Sequence, residues 1–357
     1  MRITDLQHLI HKYFIWIVIS SYLVAGLWPG LAMSIRSAHL GIVEVGQAKV
    51  TITAPPLLLA LLLFNAGLGA RVHELAKLAR HPRLLAAGVA GNVAAPLAFI
   101  LALSFLMSFW HNPEEVQQIL TGLALVAAMP IAGASSAWSQ NANGNLALSV
   151  GLILLTTLLS PILTPASLHA VGFVTAGDYS EDLHELASDG AGVFLGAWVI
   201  LPSTLGILAH ALLGEKRAAL ASPYIKLVNS VILVILNYSN AALSLPGVVA
   251  HPDLDFLAAI LIIVGALCSA MFAAGYLVAR VFRADRGSAA SLMFGLGMNN
   301  NGAGLVLASL TLSDHPNVML PIIIYNLLQH LAASAVDKAL SRGMGPFVRQ
   351  DAEHPAK

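Results

Sequence analysis

A run of three asparagines lies inside an apolar segment that extends from about residue 289 to residue 312. From Gly295 to Leu305 the chain reads Gly-Leu-Gly-Met-Asn-Asn-Asn-Gly-Ala-Gly-Leu. An amide placed in hydrocarbon without a hydrogen-bonding partner costs roughly 1–3 kcal/mol, and a glycine weakens a helix by about 1 kcal/mol relative to alanine. Such a segment must either pair its amides with other helices or break and line a polar cavity. Interrupted helices of this kind are typical of secondary transporters.

The composition indicates a polytopic membrane protein in a lipid bilayer. The 357 residues are 57% hydrophobic and only 10% charged, whereas soluble domains average about 25% charged residues. The formal net charge is zero, so no nucleic-acid partner is expected. Cys268 is the only cysteine and lies in an apolar run, which excludes a disulfide framework and a cysteine-based metal site. The first apolar run has no small-residue cleavage site, and we interpret it as a retained helix.

Ten apolar segments have about the length that a membrane span requires. They are predicted at about residues 13–33, 52–70, 84–109, 118–140, 145–169, 190–213, 225–246, 256–281, 288–312 and 317–340. If the N-terminus is cytoplasmic, every Lys and Arg except Arg36 and Lys49 falls on the cytoplasmic side. Because basic residues concentrate on that side of membrane proteins, we predict an inner-membrane protein with both termini in the cytoplasm.

The fold class predicted from these spans is all-α and integral to the membrane, with an inverted repeat of five plus five helices. The long polar connection at 171–189 separates repeat one, about 13–169, from repeat two, about 190–340. Residues 1–357 form one transporter domain in this interpretation, with a polar cytoplasmic tail at 341–357.

Spans four and nine occupy corresponding positions in the two repeats, and both carry signals of a broken helix. Span four contains Pro130, Gly133 and two serines, whereas span nine contains the asparagine run. The alternative is that small and polar residues merely let helices pack closely. The matched positions favour two broken helices that cross near the middle of the membrane.

Several longer strings then become informative. The chain reads Pro-Ile-Ala-Gly-Ala-Ser-Ser from Pro130, Gly-Asn-Leu-Ala-Leu-Ser from Gly144, and Leu-Leu-Ser-Pro-Ile-Leu-Thr-Pro up to Pro165. Together with the segment from Gly297 to His330, these strings resemble the bile acid:sodium symporter family over most of residues 54–340. The resemblance implies a panel of spans one, two, six and seven and a core of the other six. An organic solute would be carried between panel and core.

The resemblance also implies oxygen ligands for a sodium ion, the one ion that we expect besides the solute; no other cofactor is expected. The implied ligand positions are Ser135, Ser136, Ser149, Leu296, Met298 and Asn299. Three further family ligand positions have lost their oxygen-bearing side chains. They hold Ile153, Gly295 and Gly91, and without a carboxylate the sodium site depends on hydroxyls, amides and carbonyls.

The residues predicted to contact the solute are polar and lie within the spans. They are Asn300, Gln329, His330, Asn237 and Asn240. Asn300, Gln329 and His330 occupy positions that resemble solute-contacting positions of the family. For His330, a proton relay and a neutral core histidine stay open as alternatives. Asn237 and Asn240 share a helix face, where they line the panel side of the pocket or form interhelical hydrogen bonds.

The resulting prediction is a secondary active transporter for an organic, anionic and partly apolar solute, coupled to sodium. The alternatives are a proton-coupled carrier, an uncoupled facilitator, or a non-transporting membrane sensor on the same fold. An intramembrane enzyme is disfavoured, because the spans contain no His-Glu-x-x-His motif, no paired aspartates and no Cys/His set.

Overall fold

The chain forms a bundle of helices with one two-stranded hairpin near its start. The structure, a computed structural model, describes residues 3–45, 48–69 and 82–341. The helices are α1 (Ile3–Leu27), α2 (Gly30–Ser37), α3 (Ala54–Leu68), α4 (Pro82–Met107), α5 (Pro113–Ala128), α6 (Ala134–Asn141), α7 (Leu146–Gly172), α8 (Asp178–Leu213), α9 (Glu215–Ala241), α10 (Leu245–Ala250), α11 (Leu254–Val281), α12 (Arg286–Gly297), α13 (Asn301–Thr311) and α14 (Met319–Ser341). The antiparallel strands are β1 (His39–Val45) and β2 (Ala48–Thr53).

The prediction of a helical membrane protein is confirmed. Within the described part of the chain, six helices are long and apolar enough to cross a bilayer. They are α4, α7, α8, α9, α11 and α14. A seventh is added if α1 and α2 count as one span, although their axes meet at 92°. The shorter apolar helices α3 and α13 lie within predicted spans two and nine.

Predicted spans four and nine are both interrupted. Helix α5 ends at Ala128 and α6 begins at Ala134, which leaves a first break at residues 129–133. Met129 is extended, with ψ at 145°, as expected for a residue that precedes a proline. Helix α12 ends at Gly297 and α13 begins at Asn301, which leaves a second break at residues 298–300.

The contacts divide most helices into two groups. In the first, α1 packs against α9, and α3 packs against α9 and the last part of α8. In the second, α11 packs against α4, α12 and α14, while α7 packs against α4 and α5. Helix α13 belongs with α14 but also touches α3 and α9, so one half of the second broken segment lies where the two groups meet.

Helices α3 and α8 approach closely because each carries a glycine at the contact. A Cβ at Gly67 would lie 2.1 Å from the carbonyl oxygen of Ser203, and a Cβ at Gly206 would lie 2.0 Å from that of Phe64. Small residues allow this kind of backbone packing between membrane helices. The reciprocal pair therefore fixes the position of α3 against α8.

The hairpin of β1 and β2 was not predicted from the sequence. It occupies the connection between predicted spans one and two. One other sequence prediction, the polar tail at 341–357, lies largely outside the described residues.

Candidate functional site at the two helix breaks

The two breaks are joined by a short antiparallel backbone bridge. The N–H of Ala132 donates to the carbonyl of Met298 at 2.8 Å, and the N–H of Asn300 donates to the carbonyl of Pro130 at 2.9 Å. Ile131 and Asn299 face each other between these two bonds. Unwound backbone inside a membrane needs partners for its polar groups, and here each break supplies them to the other.

Helix α7 binds further backbone groups of the first break. The N–H of Ile131 donates to Oγ1 of Thr156 at 3.2 Å, and Oγ1 of Thr164 donates to the carbonyl of Ala128. Ala128 is the last residue of α5, where carbonyls have no partner within the helix. Two threonines thus hold both sides of the turn at Met129–Pro130.

Gln329 on α14 binds backbone and side-chain groups of the second break, as the two threonines of α7 do at the first. Its Oε1 accepts from the N–H of Asn299 and from Nδ2 of Asn301, both at 3.0 Å. Nδ2 of Asn299 donates to the carbonyl of Val126, at the end of α5. From Gln329 the bonds continue to Asn326 at 3.3 Å. Asn299 and Asn301 share one acceptor because the chain at residues 298–300 is not helical.

This amide network reaches across to the first group of helices. Nδ2 of Asn326 donates to the hydroxyl of Tyr22 on α1 at 2.9 Å. Tyr22 is 5% exposed and Gln329 is 2% exposed, so the connection lies away from solvent. The second break is therefore linked to α1 through two amide side chains.

On the broken segments and on α4 and α7, five buried side-chain oxygens have no hydrogen-bonding partner among the described residues. They are Oγ of Ser135, Oγ of Ser149, Oδ1 of Asn299, Oδ1 of Asn301 and Oδ1 of Asn92. Their residues are at most 3% exposed. Buried acceptors without partners are rare in folded proteins. Ser135, Ser149 and Asn299 are three of the predicted sodium ligands, whereas a missing partner at Asn301 and Asn92 was not predicted.

The other predicted sodium ligands are more constrained. The hydroxyl of Ser136 donates to the carbonyl of Gly133 at 2.8 Å and keeps its lone pairs. The carbonyl of Met298 already accepts from Ala132. Leu296 is in the last turn of α12, where helix carbonyls have no intrahelical partner.

Two of the lost ligand positions are filled by apolar packing. A Cβ at Gly91 would lie 2.9 Å from Cδ2 of Leu296. A Cβ at Gly295 would lie 3.3 Å from Cδ1 of Leu152. Leucine side chains cannot coordinate a hard cation, so a sodium ion fits the serine hydroxyls at the first break better than the surroundings of Gly91 and Gly295.

The predicted solute-contacting residues are distributed over three helices. Asn300 is partly exposed and its Oδ1 accepts from the N–H of Ala303 at 3.3 Å, so it caps α13. Asn237 and Asn240 are buried on α9, at 4% and 1% exposure. Gln329 is buried within the network on α14, and His330, the next residue, is partly buried.

Sequence reasoning missed Arg36, which contacts one of these residues. Its Nη1 donates to Oδ1 of Asn240 at 3.0 Å. The available signal was its position, since Arg36 and Lys49 are the only basic residues on the predicted outer side. The bend between α1 and α2, which brings Arg36 toward α9, had no clear sequence signal.

The structure also contains cavities that were not predicted. A void of about 10 Å³ lies beside the first break and is lined by Asn92, Thr156 and Ser160 among others. A cavity of about 320 Å³ lies at the start of α5 and α11, where Glu114 and Asp253 are among its lining residues. Of these two cavities, only the smaller is lined by residues of a break, Met129 and Pro130.

The sequence matches the Sodium Bile acid symporter family over residues 56–251. The chain belongs to this family. Family membership and the apolar helices establish a membrane protein of a transporter family, in agreement with the prediction that it is not an enzyme. The matched residues include the first break and α7 but end before the asparagine run.

Two proteins of Bacillus subtilis (strain 168) are similar to this chain. The uncharacterized protein YbaS is 27% identical over 265 residues, which cover 69% of this chain and 80% of YbaS. The uncharacterized sodium-dependent transporter YocS is 23% identical over 286 residues, which cover 77% of this chain and 79% of YocS.

Proposed function

We propose that this member of the symporter family is a secondary active transporter that moves an organic, anionic and partly apolar solute by alternating access, driven by a sodium gradient. The observation that carries the proposal is the bridge between the two breaks, together with buried oxygens on Ser135, Ser149 and Asn299 that have no partner among the described residues. In secondary transporters, unwound carbonyls and the ends of half-helices coordinate the driving ion near the midplane.

Sodium is assigned to the hydroxyls of Ser135 and Ser149 together with Oδ1 of Asn299. A hard cation takes several oxygen ligands, and these three acceptors have no other partner in the described residues. Ser136 and the carbonyls of Leu296 and Met298 complete the proposed set. Without the ion, the buried acceptors would be unpaired, which is unfavourable. Ion binding would therefore be coupled to the position of the half-helices.

The proposed architecture has ten membrane spans in an inverted repeat, with both termini in the cytoplasm of an inner-membrane protein. The panel contains α1, α3, α8 and α9, and the other six spans, including the two broken ones, form the core. The contacts of α13 with both groups support a solute path along α9 and α13. Asn237, Asn240, Asn300, Gln329 and His330 are the side chains proposed to line it.

The half-helices also favour an anionic solute. Helices α6 and α13 begin at the breaks, and a helix N-terminus carries a partial positive charge of roughly half an elementary charge. Helix α6 has no side-chain cap at Gly133, but its Ser135 and Ser136 N–H groups already donate to the carbonyls of Ala132 and Gly133. Its attraction for a carboxylate therefore comes from the partial charge of the helix end.

Uptake into proteoliposomes tests the proposal. Radiolabelled cholate is a suitable first probe, followed by a set of smaller aromatic carboxylates. We expect accumulation that requires an inward sodium gradient and disappears when choline replaces sodium. The absence of accumulation for every anion, under sodium and pH gradients alike, would refute the carrier function.

A second candidate is a proton-coupled carrier or an uncoupled facilitator. The packing of Leu296 and Leu152 at the two glycine positions favours it, because part of the family's ion-binding set is absent. Accumulation that follows a pH gradient in sodium-free buffer would support proton coupling. Equilibration without accumulation would support a facilitator.

Serine variants separate these candidates further. Ser135→Ala and Ser149→Ala should each weaken the sodium dependence of uptake at least several-fold, because each removes one proposed ligand. Ser269→Ala is the matched control, since Ser269 is exposed on α11 and bonds only to the carbonyl of Gly265. An unchanged sodium dependence in both site variants would exclude sodium binding at the first break.

A further inference from the structure

Arg36 joins three helices at one end of the bundle. It lies on α2, donates from Nη1 to Oδ1 of Asn240 on α9, and donates from Nη2 to the carbonyl of Ser309 on α13 at 2.9 Å. Ser309 is in the last turn of α13. The guanidinium therefore bridges the first group of helices and the second half of the broken span nine.

Both partners of this guanidinium are uncharged. Among the described residues no carboxylate forms an ion pair with Arg36, and the side chain is only partly exposed. A cation removed from water is unfavourable unless it is paired. The carbonyl end of α13 contributes roughly half a negative charge, so the positive charge at this position is only partly compensated.

Asn240, at the same place, carries a buried hydrogen-bond donor that has no acceptor among the described residues. Its Oδ1 is used by Arg36, while its Nδ2 is buried and has no acceptor. The residue is 1% exposed. A buried donor without an acceptor is unfavourable, and this donor belongs to the same amide group that accepts from the guanidinium.

We propose that Arg36 and Asn240 form a subsite for the carboxylate of the transported solute. This inference rests on the proposed function and names the recognition element for the negative charge. A guanidinium has five N–H donors, of which two are used here, so a carboxylate binds without displacing Asn240 or Ser309. One carboxylate oxygen accepts from Arg36 and the other from Nδ2 of Asn240.

The placement gives the subsite a role in transport. Arg36 contacts α9 and α13, the two helices along which the solute path is proposed. It lies on the predicted outer side, where it is one of two basic residues. An anion that arrives from outside meets this charge before it reaches the breaks, so Arg36 selects carboxylates at the entrance.

A pair of matched small ligands tests the subsite without knowledge of the natural solute. Octanoate and octanamide have the same chain length and differ in the carboxylate. Their binding to purified protein is measured by the shift of thermal unfolding, at constant ionic strength and below the concentrations that disrupt detergent micelles. We expect octanoate to bind the wild type more tightly than octanamide.

The variants are Arg36→Gln, Arg36→Lys and Asn240→Ala, with Arg217→Gln as a control on the exposed start of α9. Arg36→Gln should weaken octanoate binding about tenfold or more, the factor expected for one charge-assisted hydrogen bond, and leave octanamide binding unchanged. Arg36→Lys should retain part of the preference for octanoate over octanamide, because it keeps the positive charge but not the planar, forked set of donors. Asn240→Ala should have a smaller effect, and Arg217→Gln none.

A purely structural bridge would behave differently. It would lower the unfolding temperature of Arg36→Gln without ligand but leave the preference for octanoate intact. That result, or the absence of a preference in the wild type, would overturn the subsite. Cholate accumulation in proteoliposomes is a separate readout, so the subsite can fail while the carrier function stands.

Discussion

The first break, at residues 129–133, and the second, at residues 298–300, differ in the side chains that bind their free backbone groups. Threonine hydroxyls of α7 hold the first break, through Thr156 and Thr164. An amide hub holds the second, through Gln329 on α14. In each case the partner helix is the long helix that follows the broken segment in the chain.

The two breaks also differ in the side-chain groups that they leave free to bind an ion. Around the first break, serine hydroxyls of α6 and α7 stay without partners, which suits an ion that needs oxygen ligands. Around the second break, the amide nitrogens of Asn299 and Asn301 are bonded, whereas Oδ1 of each residue has no partner among the described residues. Each break leaves two side-chain oxygens unpaired, but the second is held by more side-chain hydrogen bonds, three against two. In this interpretation the second break is therefore the more rigid of the two.

The largest effect is expected at Gln329. Gln329→Leu removes the acceptor of both Asn299 N–H and Asn301 Nδ2, and a buried donor without a partner costs about 1–3 kcal/mol. We therefore expect the free energy of unfolding to fall by about 2 kcal/mol or more. Denaturant unfolding in detergent measures it. Gln140→Leu, at an exposed glutamine of α6, is the control, and equal losses in both variants would contradict the hub.

A smaller effect is expected at the hydroxyls of the first break. Thr156→Val keeps the shape of the side chain but leaves the N–H of Ile131 without its acceptor, at a cost of about 1–2 kcal/mol. Thr157→Val is the neighbouring control, because the described hydrogen bonds from α7 threonines to the break involve Thr156 and Thr164 and not Thr157. If Thr156→Val unfolds like the wild type in the same assay, then the first break does not depend on α7.

The smallest effect is expected at the helix caps. Asn300→Ala removes the side-chain cap of α13, a change that costs about 1 kcal/mol. Gly133→Ala at the corresponding start of α6 removes no side-chain bond; Gly133 already has helical dihedrals and a Cβ there meets no atom within 4 Å. This change should therefore lower stability by less than about 1 kcal/mol. Parallel unfolding curves compare them; a larger loss for Gly133→Ala would reverse the order of rigidity proposed for the two breaks.

The positions of both breaks could be predicted from the sequence, whereas their hydrogen-bonding partners could not. Proline at 130 and the glycines and asparagines from 295 to 304 oppose a continuous helix, and the structure breaks at both places. The role of Gln329 depends on the non-helical path of residues 298–300. Helical spacing of about 100° per residue does not apply there, so it could not show that Asn299 and Asn301 share an acceptor.

The region near the N-terminus was predicted less well, for two physical reasons. The strands β1 and β2 are rich in valine, isoleucine and threonine and flank Gly46-Gln47, a hairpin signal that the search for membrane spans passed over. Arg36 was assigned only to a connection, because its contacts with α9 and α13 join residues that are more than 200 positions apart. No local pattern encodes such a contact.

The most direct test of the account is a disulfide between the two breaks. Ile131 and Asn299 face each other in a non-hydrogen-bonded antiparallel pair, where Cα atoms lie about 4.5 Å apart, within the range of a disulfide. In a Cys268→Ser background, the pair Ile131→Cys and Asn299→Cys should cross-link on mild oxidation, as read by mass spectrometry. The control pair Ile131→Cys and Ser269→Cys should not. Two free thiols at 131 and 299 after oxidation would show that the broken helices do not meet.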